Sequence, residues 1–374
     1  MKSRFSFRRH SSDWFDHGRQ GQTSAQSGYN ATMSDKLRVG VMGAGSVGCF
    51  VGGKLLAAGR ADVVFIGRQR LRDEIAEHGL TLQDLDRDAV VVPAPQVVYE
   101  TDMAKLADCD AVLACTKSAQ TEDVARELAQ VLARDTVLVS LQNGVRNAPT
   151  LRAHLGDRTV LAGIVGFNVL SRGQGLFHRT MSGSLMLEAP PDERAKAVVD
   201  ALSATDLQIE QRRDLAPDQW TKLLVNLNNA VSALSDAPTR EMLLSRSYRR
   251  IIAAIVDEAL GVLRAAGIKP ARLRGVPIGL MPKVLRLPTP LVRLVTRAQM
   301  KVDPHARSSM WEDLRRGRAT EVDFLNGEIV ALAERTGVDA PINRRIVALV
   351  HEAEERGAGT PGLDADTLWR RLHE

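Results

Sequence analysis

Cysteine, aromatic residues and long uncharged apolar runs are all scarce in this 374-residue chain. The three cysteines (Cys49, Cys109 and Cys115) include no CxxC pair and cannot form a disulfide scaffold, which favours a reducing, cytoplasmic compartment. Aromatic residues make up 4% of the chain, too few for a surface that stacks single-stranded nucleic-acid bases. Because no run of about 18 uncharged apolar residues occurs, the sequence predicts no transmembrane helix and no membrane partner.

Clusters with metal-ligand spacing are also missing from the sequence. Its eight histidines are scattered, and neither HExxH nor a paired Cys/His motif occurs. No GxSxG nucleophile elbow is present either. We therefore expect no metal site and no hydrolase chemistry of the nucleophile-elbow type.

The composition is that of a globular protein, with 44% hydrophobic and 25% charged residues, and the length suits two domains. The net charge of +5 is unevenly distributed. Residues 1–33 contain five basic residues and two aspartates, a net +3, which leaves +2 spread over the rest. Without a basic stripe, we expect no nucleic-acid partner.

Residues 1–33 are predicted to be a disordered extension, because they are rich in Ser, Gln, Gly and Arg and lack apolar periodicity. They have no hydrophobic h-region of a secretory signal, and Asp13, Trp14 and Asp16 do not suit a transit peptide. We hypothesise that translation naturally begins at Met33, which leads directly into the first predicted strand.

From residue 34 to 211 apolar runs alternate with helical spacing, which predicts a parallel sheet covered by helices on both faces. Strands are predicted at 37–42, 62–66, 111–115 and 136–140, with later strands near 160–169, 175–177, 184–187 and 208–210. Helices are predicted at 46–58, 120–133 and 192–204.

Residues 212–374 show helical patterns without convincing strand alternation. Helices are predicted at 217–234, 248–266, 309–317, 320–335 and 343–355. The predicted fold class is therefore α/β, with an N-terminal Rossmann-type domain (34–211) followed by an all-α domain (212–374). We interpret the Pro-, Arg- and Leu-rich segment 270–300 as a packed insertion, with a membrane-surface segment as the alternative.

A glycine-rich loop joins the first predicted strand to the first predicted helix. It consists of Gly43, Ala44, Gly45, Ser46, Val47 and Gly48, and fits the GxGxxG pattern in its expected context. Such a loop allows a tight turn, close approach to a pyrophosphate and close helix–strand packing. We predict dinucleotide binding here, the alternative being a purely structural glycine turn.

The end of the second predicted strand distinguishes between coenzymes. An NAD site usually has a carboxylate there for the ribose 2′-hydroxyl, but this chain reads Gly67-Arg68-Gln69-Arg70. Arg68 suits a 2′-phosphate, which favours NADP (NADPH) as the cofactor. The alternative is that Arg68 and Arg70 are solvated loop residues.

Two further polar residues follow predicted strands, at the edge where open parallel sheets bind ligands. Lys117 is a candidate for contacting phosphate or ribose groups, and Asn143 for holding the nicotinamide or the substrate. Their alternatives are a surface lysine and an Asn-Gly turn.

Lys222, Asn226 and Asn229 share one face of the predicted helix 217–234, since positions i, i+4 and i+7 align. They predict a polar site that faces a cleft, with a hydrogen-bonded network between helices as the alternative. Downstream, Ser309 could begin a capping box and Glu321 could be a first-turn carboxylate, so the residues alone leave both roles open.

Taken together, these motifs make the chain resemble the ketopantoate reductase (2-dehydropantoate 2-reductase) family over about residues 37–357. The markers are Gly43-Ala44-Gly45-Ser46-Val47-Gly48, Cys115-Thr116-Lys117, Gln142-Asn143-Gly144, Trp220-Thr221-Lys222-Leu223-Leu224-Val225-Asn226, Ser308-Ser309-Met310 and Thr320-Glu321-Val322-Asp323-Phe324-Leu325-Asn326-Gly327. The resemblance implies a Rossmann NADP domain joined to a helical domain, with the active site between them.

The resemblance also implies roles for single residues. Lys222 matches the general acid and Glu321 a second catalytic position that orients the site. Asn226 and Ser309 match substrate-binding positions, to which we add Asn229. Lys117 and Asn143 line the cleft on the cofactor side, and Arg68 and the glycine loop hold the cofactor.

The implied reaction is NADPH-dependent reduction of ketopantoate, a 2-oxo acid, to (R)-pantoate in pantothenate biosynthesis. Two positions depart from the pattern: Ala230 and Thr239 stand where some members carry asparagine. An NADP-dependent reductase of another branched 2-oxo acid, a non-catalytic NADP-binding protein and an opine-type dehydrogenase are the alternatives. The sequence does not fix the oligomeric state, and a homodimer remains open.

Overall fold

Buried apolar strands form the centre of the first half of the chain. The computed structural model describes residues 36–85, 87–273, 275–295 and 306–374. The predicted extension 1–33, the proposed start at Met33 and part of the segment 270–300 therefore lie outside the described residues.

The strands of this half are β1 Leu37–Met42, β2 Ala61–Ile66, β3 Leu80–Asp84, β4 Val90–Val92, β5 Val98–Glu100, β6 Ala111–Ala114, β7 Val137–Ser140, β8 Val160–Val165, β9 Val169–Gly173, β10 Leu176–Arg179, β11 Leu185–Glu188 and β12 Ile209–Arg212. Its helices are α1 Ser46–Ala57, α2 Gln69–His78, α3 Thr121–Val131, α4 Asn147–His154 and α5 Glu193–Ser203.

Eight of these strands form one sheet in the order β12-β11-β8-β7-β6-β1-β2-β5. From β8 to β5 all neighbours are parallel, and Val39 of β1 pairs with Val63 on one side and Ala111 on the other. β6, β7 and β8 are buried along their whole length, as expected for strands covered on both faces. The predicted Rossmann-type sheet is confirmed, with the correction that β11 runs antiparallel to β8.

A second sheet, which the sequence analysis did not predict, has the order β4-β3-β10-β9. β3 alternates buried and half-exposed residues, since only one of its faces packs on the core. The predicted strand segment 160–169 is divided between the two sheets. β8 ends at Val165 in the large sheet, and β9 begins at Val169 in the small one.

The second half is helical, as predicted. Its helices are α6 Ala216–Asn226, α7 Asn228–Ser235, α8 Thr239–Leu244, α9 Arg246–Ala265, α10 Met281–Leu285, α11 Thr289–Val295, α12 Ser309–Arg315, α13 Asn326–Thr336, α14 Pro341–Glu355 and α15 Ala365–Arg371. The 20-residue α9 lies at the centre and buries Ile251, Ile252, Ile255 and Val256 against its neighbours. Residues 36–374 form one compact unit, and the domain boundary near residue 212 stays a prediction.

The predicted helix 217–234 is in fact two helices. α6 ends at Asn226 and α7 begins at Asn228, with Leu227 as a turn between them. Leu227 is fully buried, its backbone keeps helical dihedrals (φ −57°, ψ −26°), and its amide still donates to the Leu223 carbonyl. The predicted helix is therefore divided between Lys222 and Asn226 in α6 and Asn229 in α7, while the backbone at the junction stays close to helical.

The described part of the segment 270–300 packs on one side and is exposed on the other. Ile278, Leu285 and Val292 are buried. The fully buried Arg249 of α9 donates hydrogen bonds to the carbonyls of Leu285 and Leu287, which fixes the segment to the helical core. A short hairpin, formed by β13 (Arg272–Leu273) and β14 (Val276–Pro277), corrects the purely helical expectation for this half. In the described ranges no helix has the length and apolar character needed to cross a membrane.

Substitution of Gly43 tests how tightly the loop after β1 is packed. Gly43 and Gly59 both have positive φ, +84° and +63°. A Cβ at Gly43 would lie 2.6 Å from the Thr116 backbone nitrogen, whereas at Gly59 no described atom lies within 4 Å. Each alanine should lose about 1 kcal/mol from the left-handed backbone, and Gly43→Ala about 2 kcal/mol more from the clash. Denaturant unfolding measures both free energies, and equal losses would contradict the close packing.

Candidate active site

The carboxyl ends of β7, β6, β1 and β2 lie side by side at one edge of the large sheet. A predicted site residue follows each of these strands. Asn143 follows β7, Lys117 follows β6, the glycine loop follows β1, and Arg68 follows β2. The parallel topology thus gathers residues that are up to 100 positions apart in sequence.

The glycine loop has the geometry expected of a dinucleotide-binding turn. The amides of Gly43 and Ala44 both donate to the Ile66 carbonyl, at 3.0 and 2.8 Å, which ties the loop to β2. A Cβ on Gly48 would lie 2.8 Å from Val41 Cγ1, so close helix–strand packing requires glycine there. A Cβ on Gly45 would meet, among the described atoms within 4 Å, just the Gly43 carbonyl oxygen at 4.0 Å.

The space beside Gly45 lies at the N-terminus of α1, which begins at Ser46 without a side-chain cap. Uncapped N–H groups and the partial positive charge of a helix start attract phosphate. The loop therefore fits the pyrophosphate of a dinucleotide.

Positive charge is concentrated next to this loop. Arg68 is exposed at the N-cap position of α2, and Arg70 pairs with Glu74 at 3.2 Å. Arg318 follows α12 in sequence, and burial together with the charges of Arg316, Arg68 and Arg70 lowers its pKa. Arginines from both halves of the chain thus produce one region of positive potential beside β2.

Lys222 of α6 reaches the same sheet edge. Its Nζ donates to Asn143 Oδ1 at 2.9 Å. Burial lowers the pKa of Lys222 from 10.5 to about 8, while the negative charge of Glu321 acts in the opposite direction. Near neutral pH the amine is therefore protonated and able to donate its proton at modest cost.

Asn143 connects Lys222 to Glu321. The Nδ2 of Asn143 donates to Glu321 Oε2 at 3.2 Å, while its Oδ1 accepts from Lys222. Because an ammonium group can only donate and a carboxylate can only accept, these neighbours fix the orientation of the amide. Glu321 Oε1 accepts in turn from the backbone amide of Ser118 at 3.1 Å and lies 2.9 Å from its hydroxyl.

A buried polar network, which the sequence analysis did not predict, packs under the Asn143 loop and supports the contacts between Lys222, Asn143 and Glu321. Asn147 donates to Ser118 Oγ at 3.2 Å and to the Asn143 carbonyl. Thr121 Oγ1 donates to Asn147 Oδ1 at 2.8 Å, and Gln142 Nε2 donates to Thr121 Oγ1 at 2.7 Å. The sequence signal for these residues is their position: Ser118 and Thr121 follow the buried strand β6, and Gln142 and Asn147 follow the buried strand β7.

Lys117 points from the end of β6 towards the helical half. Its Nζ lies 2.7 Å from Asp313 Oδ1 and donates to the Ala319 carbonyl at 2.7 Å. In this arrangement Lys117 holds the segment that leads to Glu321, and a phosphate would have to share the lysine with Asp313.

The three proposed substrate-binding residues are not joined to this chain of contacts. Asn226 ends α6, and Asn229 lies in α7, where its carbonyl accepts from Ser308 Oγ at 3.0 Å. In the described part of the chain, no side-chain hydrogen bond of Asn226 or Asn229 reaches Lys222. Ser309 is exposed, and the N-cap of α12 is Ser308, so the alternative that Ser309 begins a capping box does not hold.

A cavity of about 530 Å³ lies beside the first turns of α6 and does not coincide with this site. Val145, Arg146, Gln219, Trp220 and Glu328 are among its lining residues, which include neither Lys222 nor Asn143. The candidate chemistry therefore lies at the sheet edge, where hydrogen bonds link the Lys222 ammonium to the Asn143 amide and the amide to the Glu321 carboxylate. Within the described ranges, no group of three or more His, Cys, Asp or Glu residues is arranged to hold a metal.

Comparison with known proteins shows the same two-part organisation. The family model "Ketopantoate reductase PanE/ApbA" matches residues 39–192, and "Ketopantoate reductase PanE/ApbA C terminal" matches residues 214–354. The 2-dehydropantoate 2-reductase of Halobacterium salinarum is 29% identical over 328 residues, which cover 86% of this chain and 100% of that protein.

Two solved structures illustrate the similarity of fold. A PanE/ApbA family ketopantoate reductase from Ralstonia eutropha JMP134 has a TM-score of 0.73 and 30% identity, covering 86% of this chain and 99% of that one. A D-mandelate dehydrogenase with NADH and anilino(oxo)acetate has a TM-score of 0.70 and 21% identity, with coverage of 86% and 99%. Since the family models match most of the chain in the order of its two halves, the chain belongs to the ketopantoate reductase family.

Proposed function

We propose that the chain catalyses NADPH-dependent reduction of 2-dehydropantoate (ketopantoate) to (R)-pantoate, a step of pantothenate biosynthesis. The observation that carries this proposal is the hydrogen-bonded chain from Glu321 through Asn143 to Lys222 at the carboxyl edge of the sheet. Lys222, the proposed proton donor, lies at the same sheet edge as a glycine loop that fits a dinucleotide. Membership of the family supports a reductase activity.

Reduction of a 2-oxo acid needs a hydride for the carbonyl carbon and a proton for the carbonyl oxygen. A bound nicotinamide coenzyme supplies the hydride. Lys222 hydrogen-bonds the carbonyl oxygen, where negative charge develops, and then transfers its proton to that oxygen. Asn143 holds the ammonium in position, and Glu321 favours its charged form.

Asn226, Ser309 and Asn229 are proposed to hold the hydroxyl and carboxylate groups of the substrate. Asn226 and Asn229 are partly exposed and Ser309 is exposed. Their side chains are therefore accessible to a small ligand that enters beside Lys222.

The positive region at Arg68, Arg70 and Arg318 supports NADPH over NADH. A carboxylate for a free ribose 2′-hydroxyl is missing from the sequence after β2. A 2′-phosphate would instead neutralise the mutual repulsion of these arginines, which adds to the effect of burial in lowering the pKa of Arg318.

A reductase of another branched 2-oxo acid is the second candidate. Ala230 and Thr239 stand where some family members carry asparagine, so the distal substrate contacts differ. The D-mandelate dehydrogenase, solved with NADH and anilino(oxo)acetate, shares the fold. Comparison of kcat/KM across several 2-oxo acids separates the candidates.

The proposal places the reaction in the cytoplasm, where free thiols persist. All three cysteines are unpaired, in agreement with a reducing compartment. The partners are then the 2-oxo acid and NADPH, without nucleic acid, and a homodimer remains to be tested.

Replacement of Lys222 tests the mechanism. We expect the wild-type protein to oxidise NADPH with ketopantoate, and Lys222→Ala to lower kcat by about 10²-fold or more, because the general acid is lost. NADPH absorbance measures both rates. Lys283→Ala, an exposed lysine on α10, is the matched control and should keep the wild-type rate.

Near-normal turnover of Lys222→Ala would remove this residue from the catalytic role. A wild-type protein that binds NADPH but oxidises it with none of the 2-oxo acids would contradict the proposed function and favour a non-catalytic binding protein.

Replacement of Arg68 tests the coenzyme assignment. We expect Arg68→Gln to raise the KM for NADPH about tenfold or more, since a charge-assisted bond to phosphate is lost, and to leave the KM for NADH nearly unchanged. Arg72→Gln, an exposed arginine on the next turn of α2, is the matched control. Equal effects of Arg68→Gln on the two coenzymes would exclude recognition of a 2′-phosphate by Arg68.

A further inference from the structure

Glu321 lies in a short turn that is tied to α14 at both of its ends. Before Glu321, the backbone amide of Thr320 donates to Glu354 Oε1 at 2.7 Å. After it, the side chain of Asp323 lies with Oδ1 2.9 Å from the Nε2 of His351. Glu354 and His351 both belong to α14.

His351 joins these two ties to one another. Its Nδ1 lies 2.8 Å from Glu354 Oε2, while its Nε2 faces Asp323. One imidazole ring thus stands between the Asp323 carboxylate, which belongs to the turn, and the Glu354 carboxylate, which holds the other end of the turn at Thr320. With both ring nitrogens protonated, His351 donates a hydrogen bond to each carboxylate, whereas a neutral ring can donate to one of them only.

The charges around His351 favour its protonated form. Burial alone lowers the pKa of His351, but the hydrogen bonds and negative charges of Glu354 and Asp323 outweigh burial and raise it above the ordinary 6.5. The acidic groups that α9 and α13 present to α14 contact the first turn of α14 and not His351. Glu258 of α9 accepts from Asn343, and Glu334 of α13 pairs with Arg344.

From this turn a continuous series of contacts leads to the proposed proton donor. Glu321 accepts from Ser118 and Asn143, and Asn143 accepts from Lys222. The position of the turn therefore determines whether the Glu321 carboxylate can stay in contact with the Asn143 amide.

We propose that His351 is a positioning residue for Glu321, which holds the Thr320–Asp323 turn against α14 when both of its ring nitrogens carry a proton. Loss of one proton breaks one of the two hydrogen bonds of His351, which either frees Asp323 or removes the group that orients the Glu354 carboxylate towards Thr320, and the turn relaxes. This inference rests on the proposed function, because it assigns to Glu321 a part in orienting Lys222.

The pH dependence of kcat/KM for NADPH-dependent ketopantoate reduction tests the proposal between pH 5.5 and 9. We expect the wild-type value to fall about threefold to fivefold as His351 loses its proton, the size expected for a partly exposed ion pair. His351→Gln should lack this step and show the lower value already at pH 6. His351→Arg keeps a permanent charge and should retain the higher value across the same range.

A second decline near pH 8, from Lys222, should remain in all of these proteins, since the pKa of Lys222 is about 8. His154→Gln is the matched control. His154 is a partly exposed histidine on α4, in the other half of the chain, and its Nε2 lies 3.7 Å from Glu122 Oε1. Its profile should superimpose on that of the wild type. A His351→Gln profile identical to the wild type, or lowered by the same factor at every pH, would overturn the proposal.

Thermal unfolding provides a readout that does not depend on activity. A raised pKa in the folded state stabilises the protein fully below pH 6.5, and this stabilisation is lost as pH rises through the raised value. The Tm of the wild type should therefore exceed that of His351→Gln at pH 6 and match it at pH 9. If no 2-oxo acid is reduced, the proposed function fails, but the Tm comparison still tests His351. A Tm difference between the wild type and His351→Gln that is absent, or that is the same at both pH values, would overturn the role of His351 as well.

Discussion

The side-chain amide of Asn143 is the connection on which the candidate site depends. It accepts a hydrogen bond from Lys222 and donates one to Glu321, so it separates an ammonium from a carboxylate by one neutral group. A direct ion pair would raise the pKa of the lysine and hold its proton. With the amide between them, burial dominates, and the lysine becomes a donor suited to neutral pH.

This arrangement needs a rigid structural support, which the sheet edge supplies. Ser118, Asn147, Thr121 and Gln142 are buried and linked by hydrogen bonds under the loop of Asn143. A buried polar group that loses its partner is costly, so each member of such a network constrains its neighbours. Two contacts connect this support to the helical half. Lys117 pairs with Asp313, and the Ser118 amide donates to Glu321.

Local patterns predicted much of the fold and part of the site, while long-range packing accounts for the errors. The strand–loop–helix pattern of Gly43 to Gly48 and the buried run of β1 are local features, and both were found. The second sheet was missed because β3 and β10 pair across almost 100 residues. The junction at Leu227 is a one-residue feature, and the N-cap at Ser308 depends on a single hydrogen bond to the Trp311 amide, so helical spacing reveals neither of them.

The same limitation applies to the site residues. Lys222, Asn143 and Glu321 were identified from motifs, and the structure brings these three together. Asn226, Asn229 and Ser309 were identified in the same way, but in the described residues no contact between side chains joins them to that group. A residue's part in recognising a ligand leaves no trace in contacts within the protein, so such roles stay predictions.

Gly45 separates the requirements of folding from those of binding. Its backbone conformation is extended, with φ of −95°, and the space around its α-carbon is open, so the fold itself would accept a small side chain there. Gly43 and Gly48, two and three residues away, have no such freedom. The stability of the chain therefore does not require glycine at position 45, which agrees with the proposal that a dinucleotide approaches the backbone there. A descendant of this protein that lost its coenzyme could lose this glycine first, while its architecture persisted.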